Sequence, residues 1–132
     1  MEAVLSMAIA AVTIGGVVTG CVLAAQQTEQ AASFAAAEFM AQGRLEQTRA
    51  AKWDTLANPP VDELVSSNFS VLVAVLDVPI AGSNAYFATN LTTITTISDN
   101  PPLKMIRVDC VWSLLSRGPF TNTITAWRAP DQ

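Results

Sequence analysis

The chain contains no histidine, which excludes Ser–His–Asp and Cys–His catalytic arrangements and histidine-bearing metal sites. It carries no phosphate-binding glycine loop, no paired Cys-x-x-Cys and no calcium-loop pattern. Basic residues are few: seven against eleven acidic ones, for a net charge of −4. Only Arg44, Arg49 and Lys52 lie close together, so there is no basic stripe to neutralise phosphates and no nucleic-acid partner is expected. Two cysteines, Cys21 and Cys110, are too few for a disulfide framework and lie far apart in sequence. Both read as small buried hydrophobes, without an intramolecular bridge. Asp62-Glu63 is an adjacent carboxylate pair that reads as solvated loop in preference to a cation ligand. The triplets Asn68-Phe69-Ser70 and Asn90-Leu91-Thr92 would bear on glycosylation only in a secreted protein. The chain is therefore expected to be no enzyme, with no catalytic residue, cofactor or metal.

Proline is also missing from the whole N-terminal stretch, the first being Pro59. Hydrophobic residues make up 51% of the chain and charged ones 14%, a skew that comes mainly from this stretch. After Glu2 the chain runs from Ala3 to Ala25 without a charge, then continues through a charged turn at 44–54. One helix from Glu2 to about Ala57 would be about 80 Å long at ~1.5 Å per residue, and its first ~30 Å would cross a hydrocarbon core. A cleaved signal peptide fits less well than a membrane span. The apolar run exceeds the usual ~7–15 residues, no basic residue precedes it, and the cleavage-like Ala8-Ile9-Ala10 comes too early. The nearest basic residues follow the span, so either they are too distant to orient it or a basic leader has been removed.

Gly15, Gly16 and Gly20 are out of place in a soluble helix, where each costs ~1 kcal/mol against alanine. Gly16-Val-Val-Thr-Gly20 fits a small-xxx-small contact between helices in lipid. Simple tolerance of glycine in a membrane helix, or a local point of unwinding, fits equally. Glu2, at the mouth of an apolar span, is either an interfacial residue that suits the helix dipole or one half of an intersubunit ion pair.

Past Ala25 the pattern becomes amphipathic. Phe34, Ala37, Ala41, Leu45 and Thr48 form one stripe at steps of three and four. Glu46 and Arg49 are spaced to pair across a turn, and Asn58-Pro59-Pro60 is the expected stop. From Asn68 the chain reads as strands. Phe69–Val78 is almost continuously apolar, as in a strand covered on both faces, and a loop follows at Pro79 and Gly82-Ser83-Asn84. Ala85–Ile97 reads as a strand or hairpin with one wet face, followed by a loop at Ser98–Pro102. In Lys104–Leu114 one parity is apolar (Ile106, Val108, Cys110, Trp112, Leu114) and the other mostly polar, a half-buried strand. Ser116-Arg117-Gly118-Pro119 turns the chain into Phe120–Arg128, with Ile124 and Ala126 on one face and Thr121, Thr123 and Thr125 on the other. The two strands should form an antiparallel hairpin whose apolar face the amphipathic helix half covers.

These residues resemble the type IV pilin superfamily, which includes the pseudopilins of type II secretion. Glu2-Ala-Val-Leu-Ser-Met-Ala-Ile-Ala-Ala is similar to the family's N-terminal motif of glutamate followed by a long apolar helix. Ala41-Gln42-Gly43-Arg44-Leu45-Glu46-Gln47-Thr48-Arg49 with Trp53 is similar to the end of that helix, and Met105–Trp112 with its hairpin to the C-terminal sheet. The chain departs in one respect: the family places its glutamate several residues into the mature protein, and here only Met1 precedes it. Either a few N-terminal residues and a basic leader peptide precede this sequence, or Met1 is the mature start and leader cleavage and N-methylation at a family-like position do not apply.

The resemblance implies an α+β fold, a long N-terminal helix with an apolar first half packed on a small antiparallel sheet. Residues 1–28 would be the apolar helix half, and 29–132 the globular domain, with helix over 29–57 and sheet over 68–128. The implied function is a structural subunit of a type IV pilus-like filament, assembled through Glu2, Gly15, Gly16 and Gly20. In it Ala3–Ala25 would be buried against neighbouring helices, and Glu2 would neutralise an adjacent subunit's terminal amine. The Gly15–Gly20 region would be able to unwind locally. The implied partners are copies of the chain itself, the inner membrane before assembly, and a pilus or secretion assembly machinery. The implied location is an extracellular filament or periplasmic pseudopilus. A type II secretion pseudopilin and a single-pass, membrane-anchored binding domain are the alternatives.

Overall fold

The computed structural model describes residues 2–78, 85–114 and 117–131. The loop expected at Pro79 and Gly82-Ser83-Asn84, and Ser116 of the expected turn, lie outside the described residues. The chain divides into two compact units, Met1–Ala32 and Ser33–Gln132. One helix, α1 (Glu2–Ala50, 49 residues), supplies the first unit and the first element of the second. The fold is α+β, with α1 followed by a two-stranded and a four-stranded antiparallel sheet.

In the second unit, α1 buries Ser33, Ala37, Ala41, Leu45 and Thr48, a stripe at steps of three and four. Ala37 and Ala41, at the centre of this stripe, are both fully buried. The stripe departs from expectation at one end, where Ser33 takes the inward place and Phe34 is half exposed.

The helix ends at Ala50, well before the expected stop at Asn58-Pro59-Pro60. Two short strands compete for the residues that follow: β1 (Trp53–Asp54) pairs antiparallel with β2 (Val61–Asp62). Burial of Trp53 against Leu64 and the sheet outweighs the propensity to continue the helix. The Thr48 carbonyl, in the last turn, accepts the Ala51 N–H (3.4 Å) and Arg128 Nη1 (3.0 Å), a cation suited to the negative end of the helix.

The large sheet has the order β3-β4-β5-β6, all antiparallel: β3 (Leu72–Val75), β4 (Phe87–Asp99), β5 (Pro102–Leu114) and β6 (Arg117–Arg128). Period-two alternation in β5 buries Ile106, Val108, Cys110 and Trp112, as expected, and the β5–β6 register pairs Trp112 with Phe120 and Leu114 with Arg117. Near this hairpin Gly118 has φ +117°, and a Cβ there would stand 3.1 Å from Ser113 Cβ, so only glycine fits. On β6, Ile124 and Ala126 face the core and Thr121, Thr123 and Thr125 are exposed. The apolar run Phe69–Val78 behaves otherwise than expected. A turn of 3-10 helix at Ser66–Asn68 precedes it, its strand is only Leu72–Val75, and Val71, Val73 and Val75 are more than half exposed. It is an edge strand covered on one face.

Asp62 and Glu63 are both exposed, as expected of a solvated pair, but Asp62 belongs to β2 and both carboxylates are hydrogen-bonded. Asp62 Oδ1 accepts Lys104 Nζ (2.7 Å) and the Leu64 N–H (3.2 Å), and Glu63 Oε2 accepts the Lys52 N–H (2.9 Å). Lys104 sits on the buried face of β5 and also donates to the Leu64 carbonyl (2.8 Å), with its ammonium 4.8 Å from the Trp53 ring centroid. A buried ammonium is tolerated only when it is paired and hydrogen-bonded in this way. Of the two glycosylation-type triplets, Asn90 is buried, and Asn68 is exposed with its amide donating to the Glu63 carbonyl (2.9 Å). Cys110 is buried and Cys21 exposed, so only one of them is the buried hydrophobe expected, and both are free thiols. Burial pushes the Cys110 thiol pKa up.

The C-terminal segment closes on β1 through a reciprocal bridge. Asp131 N–H donates to the Trp53 carbonyl (2.7 Å), and Asp131 Oδ2 accepts the Trp53 N–H (2.9 Å). Asp131 Oδ1 accepts Arg128 Nη2 (2.7 Å). The Trp53 N–H, then Arg128, holds the Asp131 carboxyl below its ordinary range. A depressed carboxyl pKa stabilises the fold above the unfolded value of about 3.9, and that contribution is lost as pH falls through the folded value. Asp131→Asn is therefore expected to lower the thermal midpoint at neutral pH, with the gap to wild type closing as pH falls below about 4. A gap that stays constant down to acid pH would show that the carboxylate charge plays no part.

Candidate assembly interface

The first unit is helix alone, and its residues from Glu2 to Thr28 are exposed. Its large apolar side chains, from Val4 to Leu23, are each more than half exposed. Burying a valine, leucine, isoleucine or methionine is worth about 1.5–3 kcal/mol each, so this surface is far from its free-energy minimum in water. The helix is long and apolar enough to cross a membrane, with a mean hydropathy of 2.1 in its most apolar window. It has the character of a membrane anchor or a signal segment.

Its polar side chains are consistent with apolar surroundings. The hydroxyls of Ser6, Thr13, Thr19 and Thr28 each donate to the carbonyl four residues back, at 2.8–3.1 Å. A hydroxyl satisfied by its own helix costs little in lipid or against another helix.

The helix runs unbroken through Gly15, Gly16 and Gly20. A Cβ at any of the three would meet no atom within 4 Å, so nothing inside the molecule requires glycine there. Gly16 and Gly20 are one turn apart, and Gly20 lies five turns from Glu2 at ~3.6 residues per turn. Glu2, Gly16 and Gly20 thus share one side of the helix, and Gly15 falls on the other. Glu2 occupies the first turn, where a carboxylate suits the helix dipole, and it pairs with no cation among the described residues. The side with the glutamate and two glycines combines a charge, a bare backbone and flanking apolar side chains.

Sequence reasoning named these four residues but not the separation of Gly15 from the rest, which depends on the helix staying continuous. It also missed the hydroxyl pattern, whose signal is the placing of Ser6, Thr13 and Thr19 within an otherwise apolar run. Among the described residues no group of three or more Cys, Asp or Glu side chains is placed to hold a metal ion.

Comparison with known proteins gives no match to any family model, curated protein or solved structure. The fold, a long apolar N-terminal helix with an antiparallel sheet, is compatible with a pilin-like one.

Proposed function

We propose that this chain is a structural subunit of a type IV pilin-like filament, held in the inner membrane by its N-terminal helix and then polymerised through it. The observation that carries the reading is the apolar helix exposed from Glu2 to Thr28, with Glu2 at its start and Gly16 and Gly20 on the same side. A lipid bilayer and a bundle of like helices satisfy that surface equally, so transfer between them is nearly neutral in hydrophobic terms. Packing at the glycines and pairing of Glu2 with a neighbour's terminal amine then set the balance. Contacts of this kind are heterologous and propagate into an open helical polymer. The globular unit Ser33–Gln132 forms the outer surface, and a pilus or secretion assembly machinery drives extraction from the membrane.

The test is electron microscopy of filaments sheared from the producing cell, with mass spectrometry of their N-terminal peptide. Filaments containing this chain, with a hydrophobic first residue ahead of Glu2, are expected. A chain confined to the membrane fraction, with an uncleaved leader and no polymer, would instead establish a single-pass anchored domain.

A further inference from the structure

The second unit has an open groove of about 580 Å³ between α1 and β6. Three successive residues of β6, Ile124, Thr125 and Ala126, line it. Alternate residues of a strand point to opposite faces, so a groove touched by three in a row runs along the strand's edge. β6 is the outermost strand of its sheet and pairs only with β5. Its edge carries no charged side chain from Gly118 to Trp127, and its middle is β-branched threonine and isoleucine. Long uncharged edges of this kind invite pairing with another chain unless something guards them.

The helix wall of the groove is complementary to a strand in two ways. Gly43 opens onto it, and a Cβ there would meet nothing within 4 Å. Glycine inside an exposed helix is unfavourable, and no internal packing offsets that cost here. Its effect is to leave the groove wide opposite the strand edge. Beside it stand Phe39, 78% exposed, and the carboxylates of Glu38 and Glu46. Glu46 pairs with Arg49 at 2.6 Å, whereas Glu38 forms no ion pair among the described residues. The helix wall therefore presents one uncompensated negative charge next to an aromatic ring.

We propose that this groove takes an extended segment of a partner protein, which adds to the edge of β6 as a fifth strand and places a lysine or arginine against Glu38. Main-chain hydrogen bonds to β6 supply the affinity; every second side chain of the segment points to the α1 side, where a basic one meets Glu38, and the others lie on the threonine face of the sheet. A second copy of this chain is the poorer occupant. Its other sheet edge, β3, contains no basic residue and is followed by Asp77, so it brings no cation to Glu38.

The experiment is fluorescence anisotropy with the full chain in non-ionic detergent, using a labelled hexapeptide that alternates lysine with valine and its glutamate–valine counterpart. The lysine peptide is expected to bind at least about tenfold more tightly than the glutamate peptide, with increased hydrogen-exchange protection along β6. Gly43→Leu should weaken lysine-peptide binding by about tenfold or more, while its thermal midpoint holds or rises, because leucine favours the helix and its Cβ meets no atom within 4 Å. Glu38→Gln should erase the preference between the two peptides. The proposal is overturned by the absence of binding, or by binding indifferent to both substitutions. It is equally overturned if Gly43→Leu dissolves a self-associated form of the chain and leaves peptide binding unchanged, which would make a second copy the occupant.

Discussion

Replacing Glu2 with alanine is expected to remove most filaments and leave the globular unit folded. Glu2 takes no part in the core, which is built wholly from residues of Ser33–Gln132. Circular dichroism and the thermal midpoint should therefore match wild type. In the proposed filament the carboxylate would instead face a neighbour's ammonium in an apolar, poorly screened setting. A charge-assisted hydrogen bond is worth ~1.5–3 kcal/mol, about 10- to 150-fold in an association constant for each contact added. Repeated at every subunit of a polymer, that loss should reduce filament counts by an order of magnitude or more. Glu2→Asp should retain part of the assembly, since it keeps the charge on a shorter arm. Gly16→Leu and Gly20→Leu should also impair assembly by blocking close approach, and Gly15→Leu much less, because it lies on the other side. Wild-type filament density in Glu2→Ala would end the intersubunit reading and leave Glu2 as an interfacial residue that suits the helix dipole.

Much of this architecture could be read directly from residue spacing, and the exceptions have physical causes. The helix is announced by the missing prolines and by the stripe at Ala37, Ala41, Leu45 and Thr48, and the β5–β6 hairpin by strict alternation around Ile106–Trp112. Those signals are local periodicities, and each arises because one face is buried. The end of the helix was not legible, because it is set by pairing of β1 with β2 and by the contact of Asp131 with Trp53, far away in sequence. Lys104 likewise reads as a polar strand end until Asp62, Leu64 and Trp53 are found around it. The apolar run at 69–78 misleads for a different reason. Hydrophobicity reports a preference for burial, and at an edge strand that preference is met on one face only. At the candidate interface, the motif around Glu2 was legible as residue types. The groove beside Gly43 was not, since only the tertiary fold brings the edge of β6 alongside α1.

The largest effect on folding is expected at Trp112. It is 2% exposed, stacks on Phe120 at 4.6 Å between ring centroids, and donates from Nε1 to Asn122 Oδ1 at 2.8 Å. Asn122 in turn donates from Nδ2 to the Phe34 carbonyl at 3.2 Å, so one side chain carries a polar link from β5 through β6 to α1. Trp112→Ala removes the ring and leaves a cavity, at a cost of about 3–5 kcal/mol. For a unit of about a hundred residues each kcal/mol shifts the midpoint by about 4–8 °C, so the variant should be largely unfolded at 37 °C. Trp112→Phe is the more informative change. It keeps an aromatic ring against Phe120 but strips the N–H, leaving the buried Asn122 oxygen unsatisfied at a cost of about 1–3 kcal/mol. Asn122→Leu alone strands the indole N–H and the Phe34 carbonyl loses a donor. When both polar partners are removed together, neither penalty applies in full, so Trp112→Phe/Asn122→Leu should be less destabilised than the sum of the single changes. Chemical unfolding of the four proteins, followed by circular dichroism, measures that difference. A coupling of about 1 kcal/mol or more would identify the relay as a unit that fixes the helix over the sheet. Strict additivity would mean that Trp112 acts through its ring alone, with the register of α1 set by the small residues at Ala37 and Ala41.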